Sequence, residues 1–92
     1  MKGLMMDAPL SIKIIMSHAE MVAADTKLIS RRADGSISRL TYSDAFARVT
    51  KLANALDRLE LDPEARVGTL AWNDHRHFEL HYAIPCTGRI CH

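Results

Sequence analysis

The sequence is poor in the residues that mark specialised chains. It has only two cysteines, Cys86 and Cys91, too few for the disulfide framework a secreted domain of 92 residues usually needs. Set five positions apart beside a glycine, they read as buried thiols of a cytoplasmic protein. Charge of one sign is also missing: 12 basic and 11 acidic residues leave a net charge of +1. That balance gives no electrostatic reason to expect nucleic acid or an anionic membrane. No apolar run is long enough to span a bilayer. The opening MKGLMMDAPLSIKIIM has a superficial likeness to a signal peptide, but Asp7 and Lys13 interrupt it and Pro9 precedes its main apolar part, so no cleaved leader is expected. Glycines are four, scattered singly at Gly3, Gly35, Gly68 and Gly88, which leaves no glycine-rich loop. Aromatic residues make up only 5% of the chain.

What remains is 48% hydrophobic, enough for one small globular unit with a modest core. Ile12, Ile15, Met16, Ala19, Val22 and Ala23 recur at spacings of three and four and predict a helix from about Leu10 to Ala24. Leu10, Ile14 and Met21 widen its apolar face. His18, at the edge of that face, reads as a packed or half-exposed side chain. In KLISRRADGSISRL, Asp34-Gly35 between two β-prone runs predicts a hairpin over 26–40 with a two-residue turn. That register pairs Ile29 with Leu40 and Arg31 with Ser38, and puts Leu28, Arg32 and Ile37 on the other face. Arg31 and Arg32 read as solvated hairpin charges.

Thr41-Tyr42-Ser43-Asp44 matches a capping box. The helix that follows carries an unbroken apolar stripe through Tyr42, Ala45, Phe46, Val49, Leu52, Ala53, Leu56 and Leu59. Arg48, Lys51, Asp57 and Arg58 occupy its opposite side, and Pro63 requires an end near Glu60. RVGTLAW, residues 66–72, reads as a strand buried on both faces. Asn73 or Asp74 caps a third helix, and RICH after Gly88 opens another strand. Strand, helix and strand form a βαβ unit.

The third helix contains WNDHRHFELHYA, with three of the five histidines. His77 and His81 share a face, but Glu79 lies about 200° away from His77, unlike the glutamate of a zinc-protease H-E-x-x-H helix. His75 stacks with Glu79 on the other side, at the spacing of a hydrogen bond or ion pair. A zinc site would need further donors from His18, Cys86 or His92. Cys86, Cys91 and His92 alone cannot close a structural site. Pro85 removes the hydrogen bond to the His81 carbonyl and should kink or end the helix.

The order of these motifs resembles the N-terminal region of AMP-forming acyl-CoA synthetases, most closely the fatty-acyl-CoA ligase branch. The resemblance rests on Thr41–Asp44 as T-Y-x-[DE], Arg48–Leu56 as R-x-x-x-L-A-x-A-L, His75–Pro85 as H-R-H-x-E-x-x-[YF]-A-[VI]-P, and a glycine, Gly88, before a strand ending in His92. It implies an α/β fold: an N-terminal β-hairpin plus helices and an incomplete βαβ unit of a larger doubly wound sheet. Residues 1–92 would be a partial domain, with a helix segment at 1–24, the hairpin at 26–40, and a helix with the incomplete unit at 41–92. Where the family prefers glycine, this chain has Glu60 and Cys86. Where the family prefers a small residue it has Arg89, which an exposed strand would accommodate.

Family members use ATP, Mg²⁺ and CoA to activate a carboxylate. The Ser/Thr/Gly-rich phosphate loop, the acidic groups and the lysine for that chemistry are not in this sequence. The sequence therefore assigns no catalytic, cofactor-binding or metal-ligating residue to the chain itself. Two roles follow as expectations: an inactive piece of a ligase that provides scaffold or dimer contacts, or a non-enzymatic interaction module derived from the family. Both imply self-association or docking with the remainder of a ligase.

Overall fold

The computed structural model describes residues 3–92; Met1 and Lys2, the start of the 1–24 segment, lie outside the described residues. In chain order the elements are helix α1 (Ile12–Ala23), strands β1 (Lys27–Arg31) and β2 (Ile37–Thr41), helix α2 (Tyr42–Asp57), strand β3 (Arg66–Val67), helix α3 (His75–Cys86) and strand β4 (Ile90–Cys91). β1 and β2 form an antiparallel pair, and β3 and β4 a short parallel pair joined through α3. The chain is thus α/β.

The core lies between α2 and α3. Phe46, Val49 and Leu56 of α2 meet Ala83 and Ile84 of α3, with Met16 and Ala19 of α1 packed against them. Every phenylalanine and tyrosine of the chain joins one cluster across this seam. Phe46 contacts Tyr42, Phe78 and Tyr82 at ring-centroid distances of 5.7, 6.2 and 5.4 Å. A sequence short of aromatics has concentrated four of its five in one place. α2 begins as its sequence predicts: the Thr41 hydroxyl accepts from the Asp44 N–H at 3.1 Å, and the Asp44 carboxylate accepts from the Thr41 N–H at 3.2 Å.

Three expectations are corrected, those for the hairpin register, the 66–72 strand and Arg89. The hairpin is one residue out of the predicted register. Its partners are Leu28 with Leu40 and Ser30 with Ser38, not Ile29 with Leu40. The cause is a three-residue loop, Ala33–Gly35. The Gly35 N–H bonds the Arg32 carbonyl at 2.9 Å, Gly35 takes a φ of 86°, and the Arg32 N–H bonds the Ser36 carbonyl. This is a turn followed by a left-handed glycine, the next most common hairpin loop after the two-residue type. As a result Leu28, Ser30, Ser38 and Leu40 face inward, and Ile29 and Ile37 face out.

The α1 stripe is only partly used. No α1 residue is fully buried; Met16 and Ala19 reach the core, whereas Ile12, Ile15 and Val22 remain exposed. The strand predicted over 66–72 is regular only at Arg66–Val67, and Leu70 and Trp72 are fully or largely exposed, at 104% and 77%. Thr69 still bonds the His92 carbonyl through its N–H at 2.8 Å, so the extended path continues past the two regular residues. A strand wanting cover on both faces has β4 on one edge and no other neighbour among the described residues.

Arg89 is buried rather than exposed, its side chain only 8% accessible. One guanidinium nitrogen meets Asp57 at 2.8 Å and the other donates to the Leu61 carbonyl at 3.2 Å. It ties the start of β4 to the end of α2, and its stem fills space that a small residue would leave open.

Glu60 follows α2 with a φ of 54°. Glycine takes this left-handed conformation without the clash a Cβ brings. Replacing Glu60 with glycine is therefore expected to stabilise the chain by about 0.5–1 kcal/mol, read as a raised urea midpoint at unchanged slope.

Candidate functional site

The histidine-bearing helix α3 is the natural place to look for chemistry. It starts at Asp74, whose carboxylate accepts from the backbone N–H groups of Arg76 and His77 at 2.9 and 3.4 Å. Burial pushes the Asp74 carboxyl up, but those two backbone bonds and the neighbouring His75 and Arg76 outweigh it and hold the group below its ordinary range. The sign follows: a carboxyl with a depressed folded pKa contributes stability above the unfolded value and loses it as pH falls through the folded one. Thermal melts of the wild type and Asp74→Ala should differ at neutral pH, and the difference should begin to shrink only as pH falls below about 4.

His75 does not pair with Glu79, contrary to expectation. The Ser30 hydroxyl oxygen of β1 accepts from the His75 backbone N–H at 3.2 Å and lies 3.5 Å from ring Nδ1. Glu79 pairs instead with Arg48 of α2: Arg48 Nε lies 2.5 Å from Oε1, and Nη2 lies 3.4 Å from Oε2. Glu79 is buried, and its bond raises the guanidinium pKa above its ordinary value. Both partners were missed because the wheel compares residues only within one helix. One signal was available: His75, Glu79 and Ala83 recur every four residues on the stripe that turns inward.

His77 and His81 do share a face, with ring centroids 4.5 Å apart. His77 Nε2 lies 3.3 Å from the Thr69 hydroxyl, and His81 Nδ1 lies 3.9 Å from Cys91 Sγ. No group of three or more His, Cys, Asp or Glu is arranged to hold a metal among the described residues. Cys86 sits apart from this chain of contacts; burial raises its thiol pKa, with Lys13 opposing. Its thiolate is thereby suppressed. Asp74 thus caps α3, while Ser30 and the Arg48–Glu79 pair seat it against the hairpin and α2. No nucleophile with an adjacent base, and no phosphate-cradling loop, is assembled here.

The lineage of the chain is clear from similarity. Residues 16–92 match the family model of AMP-binding enzymes, and the chain belongs to that family. Along its whole length it is 38% identical to a 3-methylmercaptopropionyl-CoA ligase of Ruegeria lacuscaerulensis and 35% identical to a medium-chain-fatty-acid–CoA ligase of Ectopseudomonas oleovorans. Over 88 residues, 96% of the chain, it is 31% identical to a long-chain-fatty-acid–CoA ligase of Thermus thermophilus. The chain spans only 16–17% of the length of these relatives. No helix among the described residues is long and apolar enough to cross a membrane.

Proposed function

We propose that this chain is the N-terminal part of an ATP-dependent, AMP-forming carboxylate–CoA ligase and contributes scaffold rather than chemistry. The observation that carries the reading is the full-length match to CoA ligases combined with the small share of those ligases that is covered. The ATP, Mg²⁺ and CoA of such an enzyme would be handled by residues other than these. The described residues hold no phosphate loop or clustered carboxylates that fit them.

In this reading residues 1–92 form one partial domain, and β3–α3–β4 is the first crossover of a larger doubly wound sheet. Backbone geometry supports that. Ala65, Val67 and Thr69 direct their bonds at β4. Residues between them, Arg66, Gly68 and Leu70, alternate to the opposite edge, where a further strand would pair. Exposed Leu70 and Trp72 and the outer face of α1 are the surfaces the remainder of a ligase, or a second copy, would cover.

Two measurements on the purified chain test this together. Acyl-adenylate formation from ATP and a fatty acid should not exceed a heat-killed control, because nothing here can stabilise a transferring nucleotidyl group. Sedimentation should show self-association that survives high salt, since apolar area contributes roughly 25 cal/mol per Å² and is not screened. Adenylate formation, or a cooperatively melting monomer at tens of micromolar, would overturn the reading.

A further inference from the structure

The outer face of the hairpin takes no part in the packing of the core. Leu28, Ser30, Ser38 and Leu40 turn inward, which leaves Lys27, Ile29 and Arg31 of β1 beside Ile37 and Arg39 of β2 on the exposed side. The register sets Ile29 against Arg39 and Arg31 against Ile37, so apolar and cationic side chains alternate across the pair. Ile29 and Ile37 are 59% and 37% exposed. The ion pairs among the described residues are Arg48–Glu79 and Arg89–Asp57, so Lys27, Arg31 and Arg39 enter neither. Three unpaired cations do not go under an apolar cover, because a buried charge without a partner costs several kcal/mol. An occupant of this face must bring carboxylates, and must offer apolar groups to the two isoleucines.

The chain itself carries a segment of that chemistry. After α2, Leu59-Glu60-Leu61-Asp62-Pro63-Glu64 alternates apolar and acidic residues. Leu59 is 64% exposed, and Glu60, Asp62 and Glu64 are exposed and also outside both ion pairs. The backbone of the segment is tethered: the Leu61 carbonyl accepts from Arg89 at 3.2 Å, and the Glu64 N–H bonds the Gly88 carbonyl at 3.1 Å. The hairpin and this segment lie at opposite ends of α2. Its 16 residues, at about 1.5 Å each, hold the two about 24 Å apart. They cannot meet within one chain.

We propose that the outer face of the hairpin docks the 59–64 segment of a second copy of this chain. Lys27, Arg31 and Arg39 then face Glu60, Asp62 and Glu64, and Leu59 lies against Ile29 and Ile37. Charges arranged this way select the partner and its register more than they tighten the contact. A contact of this size is weak and transient. It extends the self-association proposed above, but it uses neither Leu70, Trp72 nor the outer face of α1. The two contacts therefore fail separately: the apolar one persists at high salt, and the charged one is screened.

Sedimentation equilibrium of the chain at about 0.01 M and about 1 M salt, with screening lengths of about 30 and 3 Å, distinguishes the two. Association should weaken about tenfold at the higher salt, and what survives is the apolar part. Arg31→Glu with Arg39→Glu should bring low-salt association down to the high-salt level, and so should Glu60→Lys with Asp62→Lys. An equimolar mixture of these two double variants should restore it, because each then meets the opposite charge on the other. In the unaltered chain, a carbodiimide should join Lys27 to Glu60, Asp62 or Glu64. Mixing isotope-labelled and unlabelled copies should show that the link runs between chains. Association insensitive to salt would overturn the proposal. So would a mixture no tighter than either variant alone, or Lys27 linked to other carboxylates or to none.

Discussion

Phe46→Ala is expected to abolish cooperative unfolding of the chain. Phe46 is 1% exposed and touches Tyr42, Phe78 and Tyr82, so it joins the start of α2 to two successive turns of α3. Truncating such a residue costs about 3–5 kcal/mol, part from lost transfer energy and part from the cavity left behind. Among the described residues the buried apolar ones are Ala45, Phe46, Val49, Leu56, Ala83 and Ile84. A domain this small has a total stability near the low end of about 5–15 kcal/mol, so the loss consumes most of it. Near-UV circular dichroism reads the aromatic cluster directly. The variant should lose that signal and its sigmoidal melt at 25 °C, while Phe46→Leu, which keeps most of the volume, should retain both. A sigmoidal melt for Phe46→Ala within a few degrees of wild type would mean that α2 and α3 are held chiefly by something other than this cluster.

The parts of the fold that were legible in sequence are those decided locally. The capping box at Thr41–Asp44 needs only neighbouring residues, and the α2 stripe needs only its own periodicity. Asp74 as a helix cap is likewise a one-turn event. The hairpin was half legible. Asp34-Gly35 located the reversal, but whether Asp34 or Ala33 begins the loop depends on where Gly35 takes its positive φ, and a shift of one residue swaps every side chain between faces.

What sequence could not show is what is set by distant partners. Arg48 was placed on a solvent face because nothing in α2 says that a buried carboxylate of α3 lies beside it. The burial of Arg89 is likewise invisible in sequence, because its acceptors, Asp57 and the Leu61 carbonyl, are about thirty residues away. The strand over 66–72 has the composition of a buried parallel strand, and in the described residues only β4 lies beside it. In the larger sheet proposed above, further strands would cover it; with β4 alone beside it, Leu70 and Trp72 are exposed where the pattern reads as buried.

Arg48→Met should destabilise the chain by about 2–3 kcal/mol, far more than a surface arginine would. Breaking a buried pair by removing one partner typically costs about 3–5 kcal/mol, because the remaining charge is left uncompensated. The figure here is lower because the Arg48 side chain is 48% exposed, so water can reach its place, whereas that of Glu79 is 7% exposed. If the cost lies in the stranded carboxylate rather than in a lost attraction, removing that carboxylate as well should return it. The double variant Arg48→Met with Glu79→Leu should therefore be more stable than Arg48→Met alone, and close to wild type, since apolar replacement of a buried pair is often neutral or better. Urea unfolding of the wild type, both single variants and the double variant completes the cycle. If the two single losses simply add in the double variant, Arg48 and Glu79 act independently, and the α2–α3 seam is held by the aromatic cluster without help from this ion pair.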